Sequence, residues 1–379
     1  MLASFRRVLT PTAVVQLLVG WLGFVALTIV QPVIQGSLTT PLLFGLLAAI
    51  VAVIILCAFG VVTQAERLAH RLGDPYGTLV LTLSIVIIEV ILISAVMLGP
   101  GDHQTIARDS VMAVAMIIMN LVVGIALLVA GLRQASLRVN PSGASAYIAI
   151  LSLLLIVAFA LPQAVGVDGT YSPVQALVVL TLTILLYAFF LYHQMGAQRE
   201  HFQEVGDSSA GPTSSSSGQL GVMQVLREHR AEVFARAAVL VLTVIPIVLL
   251  SHDMAALLDQ GLERLGAPVA LSGLLIAAIV FLPETITAIR AAYQGEIQRV
   301  SNLSHGALVS TVGLTIPVVL LIGLLTGQRV VLAASPAELM LLAVTMVITM
   351  ASFLGKRATA LHGAVHVMMF GMYLLVVFA

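Results

Sequence analysis

Two glutamates stand where carboxylates are costly. Glu89 sits in SIVIIEVILIS, residues 84–94, and Glu284 in VFLPETITAI, residues 280–289. A charge at the centre of a bilayer costs about 2.5–3.5 kcal/mol on insertion scales. Two such groups brought together cannot both stay ionised without a counter-charge. The pair then has two natural states: protonated and empty, or ionised around a cation. Competition of cation and proton for one site is the core of cation/proton exchange, and release of two protons per divalent ion leaves the site balanced.

Hard cations take oxygen ligands, about six to eight for calcium, so two carboxylates need help. Thr82 lies about two helical turns before Glu89, and Thr287 about one turn after Glu284. Ser110, Asn120, Ser310 and Thr311 come from the helices that follow each glutamate. Pro283 and Pro317 each remove a backbone donor, and are expected to break their helices and free carbonyls toward a polar cavity. The absence of a Cys/His cluster points away from a soft metal. The transported ions expected are Ca2+, or Na+ and K+, with H+; no cofactor is expected.

The elements that must hold these residues are membrane helices. Of 379 residues, 60% are hydrophobic and 9% charged, against roughly 25% charged in soluble domains. Lipid and inorganic cations are therefore the partners expected, and a net charge of zero argues against nucleic acid. The single cysteine, Cys57, excludes a disulfide within the chain. Apolar runs long enough to span fall near 13–31, 42–62, 76–98, 109–131, 146–165, 174–192, 237–257, 268–292, 302–327, 336–354 and 360–378. The expected fold is an all-α membrane protein of about eleven transmembrane helices. The first run has no small-residue cleavage site and reads as a span rather than a signal peptide.

With the N-terminus inside, every Lys and Arg except Arg108, Arg264 and Arg329 falls on one side. The positive-inside rule makes that side cytoplasmic. A bacterial inner (plasma) membrane protein is expected, with its C-terminus periplasmic or extracellular. A C-terminal reporter that works only outside the cytoplasm should therefore be active. Protease cleavage at Ser214 from the outer face of intact spheroplasts would reverse the topology.

Residues 193–236 form the one long polar stretch. Its middle, DSSAGPTSSSSG, has linker composition, and the following LGVMQVLREHRAEVFARA mixes apolar and basic residues as a membrane-surface segment does. The division is then an N-terminal helix in 1–36, a first five-helix repeat in 37–192, a cytoplasmic linker in 193–236 and a second five-helix repeat in 237–379. Because five is odd, the second set runs through the membrane in the opposite sense, the layout of inverted-repeat secondary transporters. Glu89 and Glu284 each fall in the second helix of their set.

The stretches YGTLVLTLSIVIIEVILISAVMLG, IARDSVMAVAMIIMNLVVGIALLVAGLR and FLPETITAIRAAYQGEIQRVSNLSHGALVSTVGLTIP resemble the two signature repeats of bacterial ChaA-type antiporters. These belong to the cation/proton exchanger branch of the calcium/cation antiporter superfamily. The resemblance covers about residues 76–133 and 278–318, and the eleven-span plan extends it. It implies alternating-access exchange of cytoplasmic Ca2+, in some members Na+ or K+, for external protons, with the repeat glutamates, here Glu89 and Glu284, binding the ion. Many cation/proton exchangers carry Gly-Asn-x-x-Glu in each repeat. Here Ile85 and Val86 precede Glu89, and Val280 and Phe281 precede Glu284. Many also carry a Gln near the places of Ser110 and Ser310. Fewer amide ligands make Na+ or K+ exchange through the same site the alternative to Ca2+.

Other polar residues have plainer readings. His362 and His366 share a helix face but show no third metal ligand, which suits packing or a hydrogen bond. His193, Glu200, His201 and Glu204 read as a solvated loop. Asp109 and Glu338 sit near span ends, and Glu296 joins Arg290 and Arg299 in a turn. A cation channel would assemble its acidic ring from several subunits, and an intramembrane enzyme would need a nucleophile or metal constellation that is not evident.

Overall fold

The computed structural model describes residues 8–34, 38–72, 76–98, 104–133, 137, 139–196, 199–202, 230–268, 270–355 and 357–378. The chain is an all-α membrane protein; among these residues there is no strand beyond two isolated bridges. In order come α1 (Pro11–Ile34), α2 (Thr40–Leu72), α3 (Tyr76–Met97), α4 (Ile106–Met116), α5 (Val123–Arg133), α6 (Pro141–Leu155), α7 (Leu161–Val165), α8 (Pro173–Met195), α9 (Arg230–Leu265), α10 (Ala270–Gln294), α11 (Ile297–Thr326), α12 (Pro336–Leu354) and α13 (Ala360–Val377). A π-helical turn, Ile117–Val122, joins α4 to α5, and another, Ile156–Ala160, joins α6 to α7. Among the described residues ten spans are long and apolar enough to cross a membrane. The 22-residue α3, which carries Glu89, occupies the remaining expected run.

Two compact units divide the chain: residues 1–95 with 206–266, and 96–205 with 267–379. Each unit thus draws helices from both sides of the linker. Sequence order alone does not reveal this interleaving, because packing partners are chosen by surface complementarity rather than by chain position.

In the first unit α2 packs along α9 and α1 lies against both. Pro246 cannot donate to the carbonyl four residues earlier. That carbonyl, on Leu242, accepts instead the indole N–H of Trp21 at 3.1 Å. Gly20 permits the approach, since a Cβ there would come 2.8 Å from Cys57 Sγ and 3.0 Å from Pro246 Cγ. The expected linker boundary needs correction. α9 begins at Arg230, so 230–236 are helical, while 203–229 lie outside the described residues. Arg236, placed in the linker by sequence, is buried inside α9. It donates to Glu232 Oε1 at 2.8 Å and to Gln64 Oε1 at 3.1 Å. Pairing within one turn of the helix is what allows this cation inside a span.

In the second unit the span formed by α4, the π turn and α5 is the most enclosed of the described spans, with 83% of its apolar stretch buried against 22% for α13. α10 packs on α4 and α5, α11 on α6 and α8, and α13 on α5 and α12. Several helices start with strong local signals. Ser172 and Ser335 form capping boxes with Gln175 and Glu338, each with Pro at the first helical position. Glu338 is thus a cap, in keeping with its place at a span end. Arg299 pairs with Glu296 at 2.9 Å. After α11, Gly327 takes φ 73°, and the following segment tucks inward: Val331 N–H donates to Gln104 O, and Leu332 and Ala333 N–H to Gly169 O.

The two prolines do not break their helices. α10 runs unbroken through Pro283 and α11 through Pro317. Each ring removes one backbone bond, but in lipid every other polar backbone group is satisfied best by continuing the helix.

Candidate functional site

Glu284 lies midway along α10 and is 7% exposed; Glu89 lies midway along α3 and is 3% exposed. The two belong to different units.

Glu284 lines a cavity within the second unit. Its other walls are Thr285, Phe281 and Ala288 from α10, Ile118 and Val122 from the π turn, and Leu303 and Ser304 from α11. The space suits about one water molecule or a dehydrated ion. Thr285 Oγ1 donates to Phe281 O at 2.8 Å, which leaves its lone pairs available to an occupant. Ser304 is 3% exposed, and its hydroxyl has no hydrogen-bond partner among the described residues. A carboxyl group, two hydroxyls and apolar walls make a place where a small cation or a proton could be held.

The expected supporting residues have other settings. Thr287 Oγ1 donates to Pro283 O at 3.0 Å. Ser310 donates to Gly306 O and receives the Tyr187 hydroxyl at 3.0 Å. Ser110 and Thr311 are buried, and the side chain of Thr82 lies outside the described residues. Thr287, Ser110, Ser310 and Thr311 do not line the cavity beside Glu284. Asn120 belongs to the π turn but reaches the other way. Its Nδ2 donates to Thr345 Oγ1 at 2.9 Å, and its Oδ1 lies 3.3 Å from His366 Nδ1. His366 Nε2 in turn meets Ser352 Oγ at 3.1 Å. His362 caps its own helix through Thr359. Both histidines therefore serve hydrogen bonds, and among the described residues no three His, Cys, Asp or Glu side chains gather as a metal site. Of the linker group, Glu204 lies outside the described residues. His193 packs on Phe189 and Tyr192.

Sequence reasoning missed Ser304 and Thr285. Thr285 adjoins Glu284, so a helical wheel hid it in favour of Thr287. The place of Ser304 depends on how α11 is rotated against α10, which no local pattern encodes.

Residues 42–196 and 236–379 match the family described as sodium/calcium exchanger protein. The chain belongs to that family. Members of the sodium/calcium exchanger family are transporters, and this one is a multi-pass cation exchanger. It is 32% identical over 344 residues to the sodium-potassium/proton antiporter ChaA of Escherichia coli (strain K12), covering 91% of this chain and 92% of that one. The fold is also that of two solved structures. YfkE has a TM-score of 0.69 at 18% identity, with 96% of this chain and 99% of that one covered. The H+/Ca2+ exchanger CAX has a TM-score of 0.63 at 17% identity, with 98% and 89% covered.

Proposed function

We propose that this exchanger moves a cytoplasmic cation outward in return for protons by alternating access, with Glu89 and Glu284 as its cation- or proton-binding carboxylates. The observation that carries this reading is the cavity beside Glu284, where a buried carboxyl, Thr285 and Ser304 face a space of ionic size. The matching place of Glu89 in the first half, and the two stretches matched by the family, support two repeats that each contribute one carboxylate. The proposed location is the bacterial inner membrane, with the N-terminus and linker cytoplasmic.

Sequence reasoning placed Ca2+ first. The cavity favours Na+ or K+. Three oxygen-bearing side chains against five apolar residues fall short of the shell calcium takes, and ChaA, alike over nearly its whole length, is named for sodium and potassium. Ca2+/H+ exchange is the second reading, favoured by two buried carboxylates whose joint charge would balance one divalent ion.

The test is a cation panel in proteoliposomes containing an internal pH dye. Na+ or K+ gradients should move protons several-fold faster than Ca2+ at equal charge concentration. A dominant Ca2+ response would restore the second reading. No proton movement with any cation would sink the antiport mechanism.

A further inference from the structure

The π turn Ile117–Val122 has two working faces. Toward α10 and α11 it supplies Ile118 and Val122 to the cavity of Glu284. Toward α12 and α13 it supplies Asn120, which is fully buried. A π turn is poorer in backbone geometry than the α-helix around it and persists where tertiary contacts hold it. Here those contacts are specific. Asn120 Nδ2 also lies 3.4 Å from Met116 Sδ, an acceptor, so that atom is the amide nitrogen and Oδ1 faces His366. An amide oxygen can only accept. His366 Nδ1 therefore carries a hydrogen.

We propose that His366 is a positioning residue for transport: by donating to Asn120 it holds residues 117–122 in π register and so fixes the wall that Ile118 and Val122 present to the Glu284 cavity. Without that donor the buried Asn120 oxygen is left unsatisfied, and the turn exchanges between π and α registers, opening its backbone hydrogen bonds as it does. Each passage to α register rotates one flank relative to the other by about 100°. One of the two wall residues then leaves the cavity. This inference rests on the cavity being the transport site.

Two substitutions separate the two nitrogens of the ring. His366→Asn places an amide N–H₂ where Nδ1 was, keeping the donor to the π turn and losing the contact with Ser352. His366→Gln places its terminal amide where Nε2 was, keeping Ser352 and losing the donor to Asn120. For each variant, cation-dependent proton movement in proteoliposomes gives KM and the maximal rate. Hydrogen–deuterium exchange gives the protection of residues 117–124. His366→Gln should raise KM at least fivefold with the maximal rate changed less, and should speed exchange of that segment at least fivefold. His366→Asn should stay within twofold of the native protein in both. Native exchange in His366→Gln, or equal damage in the two variants, would overturn the proposal. Faster exchange with unchanged KM would uphold the hold on the π turn and instead remove the Glu284 cavity from transport. Should neither variant insert, Asn120→Ala removes the acceptor that His366 meets, and native exchange there would overturn it equally.

Discussion

Glu284→Gln and Glu89→Gln should each express, insert and purify like the native protein, yet reduce coupled exchange to the background of empty vesicles. Glutamine keeps the size and most hydrogen-bonding capacity of a protonated glutamate. The protonated form is already one of the working states of a cation/proton site, so the fold should accept the amide. Removing a charge that costs about 2.5–3.5 kcal/mol at mid-membrane should leave thermal stability unchanged or raised. The amide can neither balance a cation nor release a proton, so cycling stops. Measured together, thermal unfolding and dye-reported proton flux separate the outcomes. Near-normal exchange in a folded variant would remove that glutamate from the mechanism. A folding failure would show a structural role.

The second large effect concerns helix packing. α5 and α13 approach so closely that a Cβ on Gly363 would come 2.6 Å from both Gly124 O and Leu128 N, and one on Gly131 would collide with Ala360 N. These are backbone atoms, which cannot swing aside. Overpacking a core typically costs about 1–3 kcal/mol, and forcing two backbones apart should exceed that range. Gly363→Val should therefore lower the unfolding temperature sharply and cut the monodisperse yield in detergent. Gly371 lies in the same helix with nothing within 4 Å of its virtual Cβ. Gly371→Ala should be neutral or slightly stabilising, since alanine gains up to about 1 kcal/mol of helix propensity over glycine. Equal behaviour of the two variants would show that the close approach is not what holds α13 in place. Because α13 also carries His366, separating it from α5 should deprotect the π turn too.

Spans, the two buried carboxylates and the family were legible without coordinates. All three are local properties. A helix crossing lipid must be a run of apolar residues, and an ionisable group within it stands out against that background. The polar linker declares itself by composition in the same way. The plain reading of His366 as a hydrogen-bonding residue was also legible, because no third metal ligand stood near it in sequence.

What the sequence by itself could not determine is where each polar side chain is spent. Asn120 looked like a ligand because it is polar and follows Glu89. It is engaged instead by Thr345, 225 positions away, and by His366, 246 positions away. Ser304 reaches the Glu284 cavity through the rotation of α11 against α10. Pro283 and Pro317 looked like breaks because a proline removes a local bond, but the helices continue because lipid offers the backbone no better partner. Arg236 read as part of a membrane-surface segment until the start of α9 placed it beside Glu232 and Gln64. Composition fixes what must be buried, whereas helix rotation and register decide which buried polar atoms meet. Those depend on interlocking surfaces from distant parts of the chain, so only the tertiary structure decides them.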